Sequence, residues 1–363
     1  MFYWLSELKE YWSALRLFEY VTFRAGGAAF TAMLLTMFLS PLTIRLLKKF
    51  NATAPCRFQG LMDEKFIDRA KDKTPSMGGL LIVFAIAISS LLWNRLDNNI
   101  PFILLVSMLA FAALGFVDDF AKAAYGNRDG LPGKFKLLFQ FLIAAGMISW
   151  LNYVPETKHL LQELYVPFYK GSLWSSPWVM LFSSIVVVGA SNAVNLTDGK
   201  DGLATGCSIL CAAVFAIFAY FSGHVKFAEY LHVPFMPGIS EAVVFASALS
   251  GACLGFLWFN CYPASMFMGD TGSLALGGVI ALIAVLVRQE LLLAIVGGVF
   301  VLEAASVIIQ VTSFKLTGKR VFLCTPIHHH FEQKGWTETQ IVVRFWILAS
   351  IFALIALGTL KLR

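Results

Sequence analysis

The sequence predicts an all-α protein, a polytopic integral membrane bundle of about ten transmembrane helices. Three observations favour this fold class. First, 58% of the 363 residues are hydrophobic and only 14% are charged, and the mean hydropathy is +0.73, which excludes an ordinary soluble domain. Second, long apolar runs alternate with polar segments along the whole chain. Third, basic residues collect in every other connection between these runs.

The apolar runs define the predicted spans. They lie near residues 24–46, 78–93, 100–117, 135–151, 177–194, 203–221, 241–260, 273–288, 291–312 and 341–360. Before them, apolar residues recur at helical spacing among charges, which predicts an interfacial helix over about residues 2–20. The start lacks the pattern of a cleaved signal peptide, so we expect the first span to direct insertion. The longest polar stretch is loop-sized, and residues 1–363 therefore read as a single membrane domain.

The distribution of Lys and Arg predicts the orientation. Connections after even-numbered spans carry only five basic residues, which are Arg95, Lys158, Lys170, Lys226 and Arg288. Connections after odd-numbered spans carry the other basic residues that lie between spans. The positive-inside rule places the odd connections in the cytoplasm and both termini in the periplasm. All the polar motifs below lie in odd connections, which predicts an active-site cleft on the cytoplasmic face.

The first motif is an acidic pair at the end of the third span. Asp118 and Asp119 follow the apolar run directly, and Lys122 comes one turn later. An ionised aspartate at the bilayer centre costs about 2.5–3.5 kcal/mol, so such residues tend to be paired or functional. One interpretation is a Mg²⁺ ligand beside a base or nucleophile. The other is an interfacial pair bound to Lys122.

The second motif joins the fifth and sixth spans. The segment 195–202 contains two Asp-Gly steps, which permit tight turns and exposed backbone N–H groups for a phosphate or a base. Asn195, Asp198 and Asp201 recur every three residues, so a helical turn would place them on one face. A plain loop would explain the glycines but not the repeated acids beside lipid.

The third motif places Asp270 between Gly269 and Gly272 before the eighth span. Thr271 and Ser273 can cap the following helix, and a cap formed by Asp270 itself is the alternative to a functional role. Several acids that converge on one side favour a metal site. Hard oxygen ligands at a phosphate-handling surface favour Mg²⁺ over zinc.

The fourth motif is the histidine run His328, His329 and His330 in the last cytoplasmic connection. Neighbouring residues on a helix point about 100° apart, which suits a shared transition metal poorly. Hydrogen bonding to phosphates is the preferred interpretation, and an incidental solvated run is the alternative. In the ninth span, Glu303 and Gln310 share a helix face and are expected to look into the bundle.

Basic residues near span ends complete the candidate site. Lys71 and Ser76 precede the second span, and Lys134 and Lys136 precede the fourth. They are candidate phosphate contacts, although each lysine could simply anchor its helix at lipid head groups. Together the motifs predict Mg²⁺-dependent phosphoryl transfer onto a membrane lipid. A proton-coupled carrier is the rival class, because intramembrane acids also mark ion paths.

Four strings of residues carry a close resemblance to a known family. They are GFVDD (115–119), NAVNLTDG (192–199), FMGDTGS (267–273) and PIHHHFEQKGW (326–336). The chain resembles the phospho-N-acetylmuramoyl-pentapeptide transferases, which belong to the polyprenyl-phosphate N-acetylhexosamine-1-phosphate transferase superfamily. The likeness extends over essentially the whole chain, and its histidine motif is the most specific part.

The resemblance implies the first membrane step of peptidoglycan synthesis in the bacterial cytoplasmic (inner) membrane. The implied partners are UDP-MurNAc-pentapeptide and undecaprenyl phosphate, the implied cofactor is Mg²⁺, and the implied products are lipid I and UMP. It also implies a possible homodimer, and no nucleic-acid partner is expected. The nearest enzymatic rival is a related transferase that uses a UDP-N-acetylhexosamine.

The resemblance also implies roles for individual residues. Asp118 and Asp119 would be catalytic acids, with Asp118 a base on the lipid phosphate or a direct nucleophile. Asp270 would be the principal Mg²⁺ ligand, with Asp118 as a second. Phe267 could stack on uracil. The implied nucleotide or phosphate contacts are Lys71, Ser76, Lys122, Lys136, Asn195, Asp198, Asp201, Asn260, Phe267, Gln310, His328, His329 and His330. Lys200 stands where the family usually has leucine, and we expect it to add a charge beside the nucleotide pocket.

Overall fold

The apolar runs form helices because backbone N–H and C=O groups in a bilayer must find partners within the chain. The computed structural model describes residues 1–50, 52, 74–125, 130–158, 160–169 and 171–361. The elements of these residues are, in chain order, the 3₁₀ helices η1 (Phe2–Glu10) and η2 (Ser13–Glu19), then α1 (Val21–Lys49), α2 (Gly79–Trp93), α3 (Asn99–Tyr125), α4 (Gly133–Tyr153), α5 (Pro155–Lys158), β1 (Glu163–Tyr165), β2 (Ser172–Ser175), α6 (Trp178–Thr197), α7 (Leu203–Ser222), α8 (Val225–Leu231), α9 (Ser240–Asn260), α10 (Gly269–Leu286), α11 (Glu290–Val296), α12 (Gly298–Thr317), α13 (Ile327–Gln333) and α14 (Glu338–Gly358).

The predicted helical membrane bundle is confirmed. Within the described residues, nine helices are long and apolar enough to cross a membrane: α1, α3, α4, α6, α7, α9, α10, α12 and α14. The second predicted span, α2, is apolar but has only 15 residues. The ninth predicted span is not one helix, because it is divided at Gly297 between α11 and α12. Adjacent glycines at 297 and 298 weaken helical continuity there. The placement of the termini and of the cleft relative to the membrane stays a prediction.

Helix α10 lies at the centre of the bundle, with 94% of its 18 residues buried. It packs against α3 and α6 and also touches α2 and α7. Gly115 of α3 lies directly against the backbone of Asp270, where a Cβ atom would collide with the carbonyl oxygen. This close approach brings the acidic end of α3 against the first turn of α10.

A buried ion pair connects three helices at the end of the bundle away from the acidic motifs. Arg24 of α1 donates two hydrogen bonds of 2.7 Å to Glu241 of α9, and its side chain is 1% exposed. The same guanidinium donates to the carbonyl of Trp93 at the end of α2. Because Glu241 lies in the first turn of α9 and Trp93 ends α2, this pair fixes three helices at the opposite end from Asp118.

A small sheet corrects the all-α prediction. Strands β1 and β2 pair antiparallel, with Glu163 opposite Ser175 and Tyr165 opposite Ser172. Arg288, just after α10, donates through Nε to the Glu163 carbonyl at 3.1 Å and forms a buried 2.7 Å ion pair with Glu290. These interactions tie the hairpin to the bundle. Strands of three and four residues are too short for an alternation of apolar and polar residues to be recognised in the sequence.

The N-terminal segment also differs from the single interfacial helix predicted for residues 2–20. It forms the two 3₁₀ helices η1 and η2, separated by Trp12 in an extended conformation. Phe2 and Phe18 pack on Trp93 of α2, with ring centroids 4.9 and 5.9 Å apart. The segment therefore packs on the bundle through aromatic contacts that a regular amphipathic pattern does not anticipate.

Candidate active site

Three carboxylates converge between α3 and α10. Asp118, Asp119 and Asp270 each offer an oxygen, and these atoms all lie within 4.8 Å of one another. The three residues are 2%, 7% and 5% exposed. Helix α3 supplies two of them because it continues past its apolar run to Tyr125, so the acidic pair stays helical. The structure thus brings together all three predicted catalytic acids.

Asp119 is the anchor of the first turn of α10. Its carboxylate accepts from the backbone N–H of Asp270 at 3.1 Å and from the N–H and hydroxyl of Thr271 at 2.9 and 2.8 Å. A negative charge is favourable at a helix N-terminus, where N–H groups lack intrahelical partners. Gly269 has φ +75°, and a Cβ there would lie 2.7 Å from Asp119 Oδ2.

The predicted helix caps of α10 are therefore wrong. Thr271 donates its hydroxyl to Asp119, and Ser273 donates to the carbonyl of Gly269. Among the described residues, α10 has no side-chain cap on its N-cap residue Met268. The carboxylate of Asp119, from another helix, occupies the position that a local cap would take.

Two lysines neutralise most of the acidic charge. Lys122 of α3 contacts Asp118 and lies 2.9 Å from Asp270 Oδ2. Lys136 of α4 lies 2.6 Å from the same oxygen and 3.7 Å from Asp118. The ion pair with Lys122, which was the alternative to a functional role for the acidic pair, is present for Asp118. Three carboxylates against two ammonium groups leave one net negative charge when all five are ionised.

Asn195 connects α6 to the acidic cluster. Its Nδ2 donates to Asp270 Oδ1 at 2.8 Å and to Ser273 Oγ at 2.9 Å. Ser76 is buried beside the same turn, since a Cβ on Gly269 would lie 3.0 Å from the Ser76 hydroxyl. Two predicted phosphate or nucleotide contacts are thus placed within reach of the aspartates.

The expected shared face of Asn195, Asp198 and Asp201 is wrong. Helix α6 ends at Thr197, and Asp198 is its C-cap residue. The buried carboxylate of Asp201 accepts from the backbone N–H of Ala264 at 3.0 Å, which ties this loop to the segment before α10. The Asp-Gly steps end the helix before a full turn can align the three side chains.

Asn260 at the end of α9 has a packing role in this structure. Its Oδ1 accepts from the N–H of Gly202 at 3.1 Å and from the Thr205 hydroxyl at 2.9 Å. Its Nδ2 donates to the carbonyl of Met266 at 3.0 Å. The side chain is 2% exposed, so Asn260 holds together the two loops that frame the site.

Phe267 is half-buried just before Asp270. Its backbone N–H donates to the Pro75 carbonyl, and its carbonyl accepts from Gly78, each at 2.8 Å. This pairing aligns the segment of Ser76 with the start of α10. Lys71, another predicted contact, lies outside the described residues.

His328 is buried within the protein. Its Nδ1 lies 3.0 Å from Glu303 Oε2 of α12, and both side chains are fully buried. A carboxylate accepts hydrogen bonds, so the ring hydrogen on Nδ1 points to Glu303. Within the described part of the chain, Nε2 has no hydrogen-bond partner. It faces Gly199, where a Cβ would collide with it.

His329 and Glu332 form a second pair on α13. His329 Nδ1 lies 2.9 Å from Glu332 Oε2. Burial lowers the pKa of His329 to about 4, assisted by the nearby charge of His328. Burial alone would raise the pKa of Glu332, but the hydrogen bond from His329 and the charge of Lys200 lower it to about 2. The incidental, solvated histidine run is excluded for these two residues.

His330 and Gln310 hold the loop that precedes α13. The Nδ1 of His330 accepts from the Leu323 N–H at 3.2 Å. Gln310 accepts from the N–H groups of Val321 and Phe322 at 2.9 Å each and donates to the Phe322 carbonyl at 3.0 Å. Both side chains are half-buried and give this loop a defined path beside α12.

The acidic cluster fits a divalent cation. Its donors are carboxylate oxygens, the ligands that Mg²⁺ prefers, and ammonium groups already lie against Asp118 and Asp270. Asp119 uses its oxygens on the start of α10. The charge balance and the donor chemistry therefore suit Mg²⁺, with Asp118 and Asp270 as the available pair.

Comparison with known proteins first defines the class. Residues 101–288 match the family described as Glycosyl transferase family 4, and this region contains all three aspartates. The matched segment covers just over half of the chain and includes the helices that build the acidic cluster.

Full-length relatives narrow the class further. A protein of Methylacidiphilum infernorum named phospho-N-acetylmuramoyl-pentapeptide-transferase is 48% identical over 366 residues, with both chains fully covered. Proteins of the same name from Neisseria meningitidis serogroups A and C are 47% and 48% identical, again with full coverage of both chains. The chain belongs to the phospho-N-acetylmuramoyl-pentapeptide-transferase family, and it is a membrane enzyme of that kind.

Some site residues escaped the sequence reasoning. Leu131 donates its backbone N–H to Asp118 Oδ1 at 2.8 Å, and no side-chain pattern could indicate a backbone donor. Glu332 and Glu338 are ordinary helix-surface residues in the sequence, yet both lie close to Lys200. Only the pairing of distant segments reveals them.

Proposed function

We propose that the chain transfers phospho-MurNAc-pentapeptide from UDP-MurNAc-pentapeptide to undecaprenyl phosphate in a Mg²⁺-dependent reaction. An oxygen of undecaprenyl phosphate attacks the phosphorus that carries the sugar. The bond between this phosphorus and the bridging oxygen of the diphosphate breaks, and UMP leaves with the electron pair. The products are lipid I and UMP. The convergence of three buried aspartates with two lysines at one end of an apolar bundle is the observation that carries this proposal.

The residues of the acidic cluster have different roles in this reaction. Asp118 and Asp270 would hold Mg²⁺, which supplies charge neutralisation for the diphosphate when bound. Lys122 and Lys136, which lie against Asp118 and Asp270, would then be available to bind the phosphate oxygens of the substrate. Asp118, with Lys122 beside it, accepts the proton of the attacking lipid phosphate.

The far side of the site receives the nucleotide. His328 places Nε2, which has no hydrogen-bond partner among the described residues, beside Gly199, and Asp198 lies in the same loop. Asn195 connects this loop with Asp270. We propose that the uridine end of the substrate lies along this loop and that Phe267, half-buried at the entrance to α10, stacks on the base.

The location follows from the charge bias of the connections. We propose a bacterial cytoplasmic membrane protein with the site on the cytoplasmic side, where the nucleotide substrate is made available and the lipid head group can reach the aspartates. Both termini then lie in the periplasm, and residues 1–363 act as one transferase domain. A homodimer is compatible with this arrangement.

The test is UMP release by the purified protein. With UDP-MurNAc-pentapeptide, undecaprenyl phosphate and Mg²⁺ we expect turnover that chelation of the metal abolishes. Asp270→Asn should reduce turnover by about 10³-fold or more, because it removes a charged metal ligand. Asp97→Asn, at the opposite end and exposed in a pair with Arg95, is the matched control and should retain activity.

Two results would favour the rival functions. UMP release only with a UDP-N-acetylhexosamine would indicate the related transferase. Flux of an ion or solute across proteoliposomes without UMP release would indicate a carrier. Full activity of Asp270→Asn at saturating Mg²⁺ would remove Asp270 from the metal site.

A further inference from the structure

Lys200 lies in the loop between α6 and α7, where a basic residue was expected to add its charge to the nucleotide pocket. The structure directs the side chain elsewhere. The Lys200 side chain is 6% exposed, and its Nζ lies 2.5 Å from Glu332 Oε1 of α13 and 3.9 Å from Glu338 Oε2 of α14. The ammonium group is therefore held between two helices that follow it by more than a hundred residues in sequence.

On the α13 side, Lys200 is coupled to the histidines. Glu332 uses its other oxygen to bind His329 Nδ1 at 2.9 Å. The rings of His329 and His328 lie 4.2 Å apart between centroids, and His328 is fixed in turn by Glu303. A displacement of Glu332 would thus move the ring that packs directly on His328.

On the α14 side, Lys200 is coupled to its own loop. Glu338 accepts from the backbone N–H of Asp201 at 3.0 Å, and the first turn of α14 is fixed by a capping box of Thr337 and Gln340. The start of α14 is therefore a rigid support. Lys200 and the backbone of its neighbour Asp201 both bind this support.

The charges make the lysine necessary to the arrangement. Glu332 and Glu338 side chains are only 17% and 11% exposed, and both approach the same ammonium group. Without that cation two poorly hydrated carboxylates would face each other, which is unfavourable in a low-dielectric setting. The repulsion between these two carboxylates is expected to move α13 away from the α6–α7 loop.

We propose that Lys200 is a positioning residue, which holds the histidine helix α13 against the α6–α7 loop and thereby shapes the nucleotide end of the site without contacting phosphate. This inference rests on the proposed function for its kinetic consequence only. The geometric consequence, the attachment of α13, is independent of any reaction.

Kinetics of Lys200→Met, Glu332→Gln and the double variant test the proposal. We expect Lys200→Met to raise the KM for UDP-MurNAc-pentapeptide about 10-fold while kcat changes by less than about 3-fold, because positioning acts on substrate binding. Glu332→Gln should have at least the same effect. The double variant should be no more than about 2-fold worse than Glu332→Gln, since both changes break one connection. Lys226→Met, an exposed lysine beyond the far end of α7, is the matched control.

Hydrogen exchange supplies a readout that needs no activity. In Lys200→Met the backbone amides of α13 should exchange about 10-fold faster, while those of α8 stay unchanged. If the wild type releases no UMP, the proposed function fails and the exchange result alone decides the positioning role. If Lys200→Met does not fold, Glu332→Gln with a wild-type KM and unchanged α13 exchange overturns it.

Two further outcomes would overturn the proposal. One is a folded Lys200→Met enzyme with unchanged KM and unchanged α13 exchange. The other is multiplication of the KM effects of Lys200→Met and Glu332→Gln in the double variant, because independent effects would mean that the lysine acts on the substrate directly.

Discussion

Replacement of Asp119 by asparagine should separate an anchoring carboxylate from a metal-binding one. Asp119 accepts three hydrogen bonds from the start of α10, at 3.1, 2.9 and 2.8 Å. Asparagine keeps one acceptor oxygen, which can serve both donors of Thr271, but its amide group opposes the N–H of Asp270. One charge-assisted bond is lost, and such bonds contribute about 1.5–3 kcal/mol.

A loss of about 2 kcal/mol in the placement of Asp270 corresponds to a decrease of roughly 30-fold in kcat/KM. Thr271→Val removes only the hydroxyl donor and should cost about 1 kcal/mol, or roughly 5-fold. Because both changes act on the same turn of α10, their effects in a double variant should be less than multiplicative.

The assay is Mg²⁺ titration of UMP release, with thermal unfolding in detergent measured in parallel. The Mg²⁺ concentration for half-maximal rate should be nearly the same in Asp119→Asn as in the wild type, while the rate itself falls. An increase of about tenfold or more in that concentration would refute the anchoring role and make Asp119 a metal ligand. Unaltered rate and stability would refute the calculated contribution of the hydrogen bonds.

Three further predictions concern charge and orientation. Lys136→Met should lower kcat/KM, yet it should also lower the Mg²⁺ concentration for half-maximal rate, because it removes a cation that competes for the aspartates; a higher Mg²⁺ requirement in the titration would contradict this. The pKa values of His329 and Glu332 are depressed to about 4 and about 2 from 6.5 and 4.5. Between pH 6.5 and 4, His329 is protonated in the unfolded chain but not in the folded protein. Lowering the pH through this window therefore favours the unfolded state, and the thermal midpoint should fall; a midpoint that rises would contradict this linkage. A membrane-impermeant maleimide should reach exposed Cys261 only in inverted vesicles and a cysteine placed at exposed Tyr230 only in spheroplasts; labelling of both from one side would exclude the proposed orientation.

Much of the architecture was predictable because membrane helices depend on composition more than on detailed packing. Apolar runs and the alternation of basic connections are local properties, and the bilayer allows few structures for them. The division at Gly297 was less visible, because a glycine pair within an apolar run is compatible with either a continuous or a broken helix. The hairpin β1–β2 depends on Arg288, a residue more than a hundred positions away from β1.

The acidic cluster was predictable as a set of residues but not as an arrangement. Placing an ionised aspartate at the end of an apolar span costs enough free energy to indicate a functional or paired residue. Asp118, Asp119 and Asp270 do converge. The sequence could not distinguish their tasks, because the difference lies in which oxygens are already bonded. Asp119 is committed to backbone donors on another helix, and this is a tertiary property.

The end of α6 explains how the two halves of the site keep a fixed relation. Asn195 binds Asp270 of α10, Gly199 lies against His328 of α13, Lys200 binds Glu332 of α13 and Asp201 binds the segment before α10. The segment 195–201 thus contacts both the acidic cluster and the histidine helix through four of its seven residues. A substrate whose uridine lies at α13 and whose diphosphate lies at Asp270 would have both ends located by one short segment. Displacement of this segment should therefore impair nucleotide binding and phosphate alignment together, whereas changes in α13 alone should act mainly on nucleotide binding.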